Sequence, residues 1–162
     1  MLRDKSLIPL SHQHQHALAL CVRIERASPI PNADLAVWQA EIAQLFQTEI
    51  AIHLVAEEQV VFPAACEFGE LKEFVNELRS DHEWLRQQFG GIGTLTADHL
   101  RALGQRLLEH IRKEERQLFE RIQELLNRNQ LENLGKKLND ALKDASQTCL
   151  LPTDATRLRS RG

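Results

Sequence analysis

The 162-residue chain has no tyrosine, only five prolines and seven glycines, and three cysteines. Because glycine and proline are scarce, few positions force a helix to stop, and the sequence favours helices almost throughout. The cysteines, at positions 21, 66 and 149, are far apart and form no C-x-x-C pair. Neither a disulfide framework nor a zinc ribbon is therefore expected.

The sequence also lacks features of membrane and nucleic-acid proteins. No apolar run approaches the ~20 residues that a membrane span requires. The formal net charge of −3 gives no basic surface for nucleic acid or an anionic membrane. Residues 1–5 lack the apolar segment of a secretory signal, so we expect a cytoplasmic location.

Apolar residues recur at helical spacing in five segments. The predicted helices cover about residues 6–27, 33–65, 69–89, 97–128 and 131–145. Asn32 and Thr96 are suitable N-cap residues for the second and fourth helices. Pro63 is expected to end or kink the second helix, because its ring blocks the preceding turn.

Four long helices with short connections predict an all-α, up-down-up-down four-helix bundle, here with an extra C-terminal helix. The fifth helix should pack through four leucines at helical spacing, Leu131, Leu134, Leu138 and Leu142. We expect residues 1–146 to form this one unit and residues 147–162 to be a flexible tail.

The motif H-x-x-x-E-E occurs twice, at residues 53–58 and 110–115, and Phe62 and Phe119 stand nine residues after the two histidines. Side chains four residues apart lie on the same helix face. Each copy therefore presents an imidazole and a carboxylate side by side, as in half of a metal site. The copies fall on the two long helices, which predicts a helical hairpin repeated with approximate two-fold symmetry.

The carboxylates of the two copies have different contexts. Glu57 continues the apolar stripe of the second helix and should be buried, where an ionised carboxylate needs a cation or takes up a proton. In the fourth helix the shared spacing favours Glu114, whereas the apolar stripe passes through Glu115. We favour Glu57 and Glu114 as ligands, with Glu58 and Glu115 either orienting the histidines or facing solvent.

The other two helices each offer a histidine on a buried stripe. His82 lies in the stripe of the third helix, and His14 lies in that of the first. His12 and His16 fall on the polar flank. A rival hypothesis is that His12 and His16, spaced i, i+4, bind zinc or nickel at the surface.

The candidate metal ligands are thus four histidines and two glutamates: His14, His53, Glu57, His82, His110 and Glu114. Imidazole and carboxylate without thiolate suit iron, zinc or manganese. Six ligands exceed what one tetrahedral zinc ion uses. Two metal ions bridged by the two glutamates, each capped by histidines, use the whole set.

With His14, His53-x-x-x-Glu57, Asp81-His82 and His110-x-x-x-Glu114 in this order, the chain resembles the hemerythrin-like, or HHE cation-binding, family over about residues 5–128. The resemblance implies a four-helix bundle around a non-haem, oxo- or hydroxo-bridged di-iron centre. It also implies a small diatomic or peroxide ligand, since members bind O2 reversibly or sense oxygen, iron, nitric oxide or peroxide.

Two positions depart from the oxygen carriers of that family. These have a second histidine one turn after the ligand of the third helix, where this chain has Arg86. In those carriers the carboxylate of the fourth helix also stands five residues after its histidine, which corresponds to Glu115. Strict reversible carriage of O2 is therefore not the expected role.

We expect a di-iron protein that binds or senses O2 or a related small oxidant, or that holds iron. Two alternatives stay open: a di-iron enzyme that removes nitric oxide or peroxide, and a zinc or mononuclear-metal helical interaction module. The sequence has no acid–base or nucleophile constellation beyond the candidate ligands, which argues against an enzyme.

Overall fold

The computed structural model describes residues 2–145 and residue 156. Five helices form within these residues: α1 (Ile8–Ala27), α2 (residues 32–66), α3 (Lys72–Gly90), α4 (residues 97–125) and α5 (Arg128–Ala141). The described residues contain no strand. The predicted all-α bundle with an additional C-terminal helix is confirmed. The predicted flexible tail lies outside the described residues, apart from residue 156.

The short connections hold 3₁₀ turns, Gly69–Leu71 before α3 and Ile92–Thr94 before α4. Thr96 caps α4 as predicted, because its hydroxyl accepts a hydrogen bond from the backbone N–H of His99 at 3.3 Å. Asn32 does not cap α2. It is the first helical residue, and Pro31 takes the N-cap position without a side-chain hydrogen bond.

The fifth helix begins earlier than its apolar pattern indicates. Asn127 and Gln130 form a capping box, in which each side chain bonds the backbone N–H of the other residue. This pair starts the helix at Arg128, and the helix ends at Ala141. Polar residues at the start of a helix bond its free backbone N–H groups and do not pack in the core. A pattern of apolar residues therefore does not show where such a helix begins.

Both long helices contain wider π-helical turns, in which a backbone N–H bonds the carbonyl five residues earlier. These turns are Phe46–Ile50 and Glu57–Val61 in α2 and Glu114–Leu118 in α4. Two of them begin at the glutamate of an H-x-x-x-E motif. Pro63 is the second residue after one such turn, and α2 continues only to Cys66.

The core consists of two apolar clusters with a polar layer between them. One cluster is centred on residues such as Leu20, Ile24, Trp38, Ile42, Leu85 and Leu103. The other is centred on residues such as Leu10, Phe62, Leu78, Phe119, Ile122 and Leu138. Each of the first four helices contributes residues to both clusters. The candidate ligands lie where a helix leaves one cluster and enters the other.

Helix α5 belongs to the second of these clusters. Leu134, Leu138 and Leu142 are buried in it, and Leu131 is partly buried against it, as predicted. The helix packs on residues 51–61 of α2, the stretch that carries the first H-x-x-x-E-E motif. None of the helices that the structure describes combines the length and hydrophobicity needed to cross a bilayer.

Candidate metal centre

Six polar side chains meet in the layer between the apolar clusters, and each is at most 5% exposed. They are the six that the sequence predicted: His14, His53, Glu57, His82, His110 and Glu114. Helices α1 and α3 supply one side chain each, and α2 and α4 supply two each. In α2 and α4 the histidine and glutamate are four residues apart, which places them on one helix face.

The six residues form two overlapping groups, and the potential ligand atoms within each group lie within 4.8 Å of one another. The first group contains His14 and His53, and the second contains His82 and His110. Glu57 and Glu114 belong to both groups. Two cations, each held by two imidazoles and joined by two shared carboxylates, match this arrangement.

The histidines face each other in pairs through their Nε2 atoms. Nε2 of His14 lies 2.9 Å from Nε2 of His53, and Nε2 of His82 lies 3.1 Å from Nε2 of His110. Carboxylate oxygens surround both pairs. The distance from Nε2 to the nearest Glu57 oxygen is 3.1 Å for His53 and 3.4 Å for His82.

Glu114 takes the corresponding place on the other side. Its carboxylate lies 3.3 Å from Nε2 of His14 and 3.3 Å from Nε2 of His110. Neither glutamate is exposed, and none of the four oxygens of Glu57 and Glu114 accepts a hydrogen bond from the described residues. Buried carboxylates without hydrogen bonds are costly, so this donor set fits a pair of cations.

Each imidazole in the first pair has an acceptor at its other nitrogen. Nδ1 of His14 lies 2.7 Å from a carboxylate oxygen of Glu115, and Nδ1 of His53 lies 2.7 Å from the amide oxygen of Gln13. An acceptor at Nδ1 favours the tautomer with its proton there, which leaves the Nε2 lone pair directed at the centre.

In the second pair only His82 has such an acceptor, because Nδ1 of His110 has no hydrogen-bond partner among the described residues. Nδ1 of His82 lies 2.8 Å from a carboxylate oxygen of Glu58, and Nδ1 of His110 lies 3.5 Å from Oδ2 of Asp81. The second glutamate of each H-x-x-x-E-E motif thus contacts a histidine of another helix from outside the centre. This geometry favours the orienting role for Glu58 and Glu115.

Two arginines extend these contacts outward. Arg86 binds Glu58 through both terminal nitrogens, and Arg3 binds Glu115 through Nη2 at 2.7 Å. The guanidinium of Arg86 therefore lies on Glu58, outside the metal-ligand groups. Arg3 has no sequence signal, because it precedes the first helix and meets Glu115 only through the fold.

Aromatic rings repeat the two-fold pattern. The ring of Phe62 lies 5.1 Å from that of His82, and the ring of Phe119 lies 5.6 Å from that of His14. Arg79 stands over Phe62 and Arg3 over Phe119, each at 5.3 Å from the ring centroid. The two phenylalanines that follow the motifs by nine residues thus cover equivalent histidines.

His12 and His16 lie outside both ligand groups. His12 is exposed, and Nδ1 of His16 lies 2.8 Å from Oε1 of Glu49. The centroids of the two rings are 4.7 Å apart in an edge-to-face contact. Of the three histidines in this part of α1, only His14 joins the buried layer.

A cavity of about 20 Å³ borders the centre between α1, α2 and α4. This volume holds one water-sized group. His14, His53, His110 and Glu114 line it together with apolar side chains that include Ile50, Leu54, Leu107 and Ile111. Glu49 also lines it, and Oε2 of this buried residue has no hydrogen-bond partner among the described residues. Neither Glu49 nor Gln13 was predicted at the centre, because no motif in the sequence includes them.

A four-helix bundle that buries two overlapping sets of histidine and glutamate has the architecture of a metal-binding helical protein. A family model, that of the hemerythrin HHE cation binding domain, matches residues 9–122, and the chain belongs to this family. Comparison with curated proteins and with solved structures gave no match. The matched part includes all six candidate ligands, whereas Arg3 and α5 lie outside it.

Proposed function

We propose that the protein holds two non-haem metal ions, with iron as the physiological metal, and binds or senses a small oxidant beside them. His14 and His53 would hold one ion, His82 and His110 the other, and Glu57 and Glu114 both. The observation that carries the proposal is a set of four buried carboxylate oxygens that face four imidazole nitrogens and accept no hydrogen bond from the described residues.

The donor set favours two metal ions over a single zinc ion. Imidazole and carboxylate ligands without thiolate suit iron and manganese as well as zinc, but one zinc ion uses only about four ligands. Six potential ligands in two overlapping groups fit two ions better than one. When bound, a non-haem di-iron pair supplies reversible redox chemistry with oxygen, nitric oxide or peroxide.

The residues around the ions have defined tasks in this proposal. Glu58, Glu115 and Gln13 hold the Nδ1 side of three imidazoles, so that the Nε2 side stays directed at the ions, and Asp81 lies 3.5 Å from Nδ1 of the fourth. The two apolar clusters exclude bulk water from the layer. The cavity admits a ligand of about the size of water or a diatomic molecule.

The first test is the iron, zinc and manganese content per chain of untagged protein purified from iron-supplemented cells. We expect about two iron ions per chain. Glu57→Gln should lose iron and melt at a lower temperature, because bound metal adds to the free energy of unfolding. The control His12→Ala should keep both ions.

Other outcomes separate the alternatives. One zinc ion per chain would favour a mononuclear interaction module over the di-iron protein. A Glu57→Gln variant that keeps two iron ions would contradict the ligand assignment. Loss of the centre in His12→Ala would mean that His14 is the wrong histidine of α1.

A second candidate, a di-iron enzyme that removes peroxide or nitric oxide, is favoured by one observation. The carboxyl group of Glu49 lines the ligand cavity, and its Oε2 has no hydrogen-bond partner in the described part of the chain, so it can exchange protons with a bound oxidant. Catalytic turnover of peroxide or nitric oxide by the iron-loaded protein would support the enzyme. Glu49→Gln should then slow turnover without changing iron content.

A further inference from the structure

The segment before α1, residues 2–7, is attached to the C-terminal part of α4 through Gln123. Oε1 of Gln123 accepts hydrogen bonds from the backbone N–H of Asp4 at 2.8 Å and from Nη1 of Arg3 at 3.1 Å. Nε2 of Gln123 donates to the carbonyl oxygen of Leu2 at 3.3 Å. One amide side chain thus bonds three consecutive residues and holds the segment beside α4.

Arg3 carries this attachment to the candidate centre. Its Nη2 donates to both the carbonyl oxygen and Oε2 of Glu115, each at 2.7 Å. The guanidinium also lies over the ring of Phe119, which stacks on the ring of His14. The side chains of Arg3 and Glu115 are 19% and 25% exposed, so these charge-assisted hydrogen bonds are partly shielded from water.

The two carboxylate oxygens of Glu115 have different partners. Oε1 lies 2.7 Å from Nδ1 of His14, and Oε2 accepts the hydrogen bond from Arg3. Such a carboxylate cannot rotate without breaking one of the two contacts, so Arg3 fixes the oxygen that His14 meets. In the other half, Glu58 is held by Arg86, which stands on α3. Arg3 by contrast belongs to no helix.

We propose that Arg3 is a positioning residue of the metal centre, and that the attachment of residues 2–7 to α4 sets how slowly the centre releases its metal. This inference rests on the proposed function. Release of an ion requires the ligand imidazole to turn away from it, and the hydrogen bond from Nδ1 of His14 to Glu115 opposes that rotation. The family model covers residues 9–122, so this contact comes from outside the family's domain.

The test is the rate at which Co²⁺-loaded protein loses its metal to an excess of EDTA, followed by the absorption band of the bound ion. Arg3→Met should release the metal about tenfold faster than the native chain. Gln123→Ala should also accelerate release, because it detaches the segment without changing Glu115. Lys5→Met is the matched control, since it removes the same charge from the same segment. The Lys5 side chain is 72% exposed and lies 3.7 Å from Glu132 of α5, so its release rate should equal the native rate.

A double variant shows whether Arg3 acts through Glu115. In a Glu115→Gln background, Arg3→Met should change the release rate by less than about twofold, because the carboxylate that Arg3 bonds is already absent. A further increase of about tenfold would mean that Arg3 acts by another route, and it would overturn the positioning role.

The metal-free protein gives a second measurement, which does not depend on a bound ion. The Nδ1 proton of His14, observed by NMR, should exchange with water faster in Arg3→Met than in the native chain. The Nδ1 proton of His82 meets Glu58 and is the internal control, so its exchange should stay unchanged. Equal acceleration at both histidines would indicate a general loosening of the bundle and would overturn the positioning role, as would unchanged exchange at His14.

A native release rate in Arg3→Met would overturn the inference and leave the metal-binding function intact. A native chain that binds neither Co²⁺ nor Fe²⁺ would overturn the proposed function and, with it, the predicted effect on metal release.

Discussion

Arg86 binds Glu58 through two parallel contacts, from Nη1 to Oε1 at 2.7 Å and from Nη2 to Oε2 at 3.0 Å. The same Oε1 lies 2.8 Å from Nδ1 of His82. Arg86 stands one turn after His82, where oxygen-carrying hemerythrins have another histidine. Arginine in place of histidine at this position therefore removes a potential ligand and adds a group that fixes the orientation of an existing one.

Replacing Arg86 with methionine should weaken metal binding without unfolding the protein. Glu58 would lose its only arginine contact in the described structure and would hold His82 less firmly, so we expect metal affinity to fall about tenfold. Arg112→Met, at an exposed position of α4, removes one charge and should have no such effect. Equal metal affinities of the Arg86→Met variant and the native chain would mean that Arg86 does not act through Glu58.

In the metal-free protein three histidines of the centre, His14, His82 and His110, should carry protons that a metal displaces. Burial lowers the pKa of His14 and of His82, but neighbouring carboxylates, Glu114 above all, raise each of these pKa values to about 9. The pKa of His110 is likewise lowered by burial and raised by Glu114 and Asp81, to about 10.

These raised pKa values predict how the stability of the metal-free protein depends on pH. A histidine whose folded pKa is raised above 6.5 stabilises the fold fully below that pH and loses this contribution as pH rises through about 9 to 10. The melting temperature of metal-free protein should therefore fall between pH 7 and pH 10. Calorimetric scans across this range measure it, and His82→Gln should flatten the profile.

The metal-loaded protein is the natural comparison for that experiment. Its ligand histidines must be neutral at Nε2, so they have no proton to lose over the same range. A melting temperature that stays constant from pH 7 to pH 10 in metal-free protein would contradict the predicted protonation of the three imidazoles.

Much of the fold could be predicted because apolar stripes and helix-breaking residues are local features of the sequence, which are visible without knowledge of tertiary contacts. All five helices were found, and most of their ends were within three residues of the predicted ones. The start of α5 was placed too late, since the capping box of Asn127 and Gln130 is polar and adds nothing to an apolar stripe.

The π turn of α4 explains why the apolar stripe of this helix passed through Glu115 although Glu114 is the buried residue. An α-helical stripe traced back from Phe119 reaches Glu115, four residues earlier. The N–H of Phe119 instead bonds the carbonyl of Glu114, five residues earlier, so Glu114 takes the buried position. The distance of nine residues from His to Phe is one α turn plus one π turn, and it occurs in both motifs.

Contacts between distant segments could not be read from the sequence. Arg3 reaches Glu115 across 112 positions, and Gln13 reaches His53 across 40. Neither residue type is unusual in its local context, because exposed arginine and glutamine are ordinary in helical proteins. Only the packing of α1 against the other helices shows that they take part.

Glu49 should make the metal-free protein less stable as pH rises from acid to neutral values. Burial raises the pKa of Glu49 above its usual value, although His16 opposes this effect. For a carboxyl group with a raised folded pKa, the stabilising contribution is present at low pH and is lost as pH rises through the folded pKa. The melting temperature of Glu49→Gln minus that of the native chain should therefore increase from pH 4 to pH 7.

Glu73 provides the matched control, because it is an exposed glutamate on α3. Glu73→Gln should give a difference in melting temperature that does not increase over the same pH range. A constant difference for Glu49→Gln would mean that Glu49 does not experience the desolvation that its buried position implies.

Gly135 allows α5 to approach the segment before α1, and replacing it tests whether α5 is part of the stable core. A Cβ atom at position 135 would lie 2.9 Å from Oγ, 3.0 Å from Cβ and 3.1 Å from Cα of Ser6. Because a backbone atom is among these neighbours, Gly135→Ala should displace α5 and lower the free energy of unfolding by about 1–3 kcal/mol. Chemical denaturation measures this change.

Gly90→Ala is the control, since no atom outside its own helix turn lies within 4 Å of the added Cβ, and its stability should stay equal or rise slightly. The double variant Ser6→Gly with Gly135→Ala removes two of the three close contacts and should recover part of the loss. Because α5 packs on residues 51–61, which include Glu57, a displaced α5 should also weaken metal binding. A Gly135→Ala variant with native stability would mean that α5 can shift without disturbing the bundle.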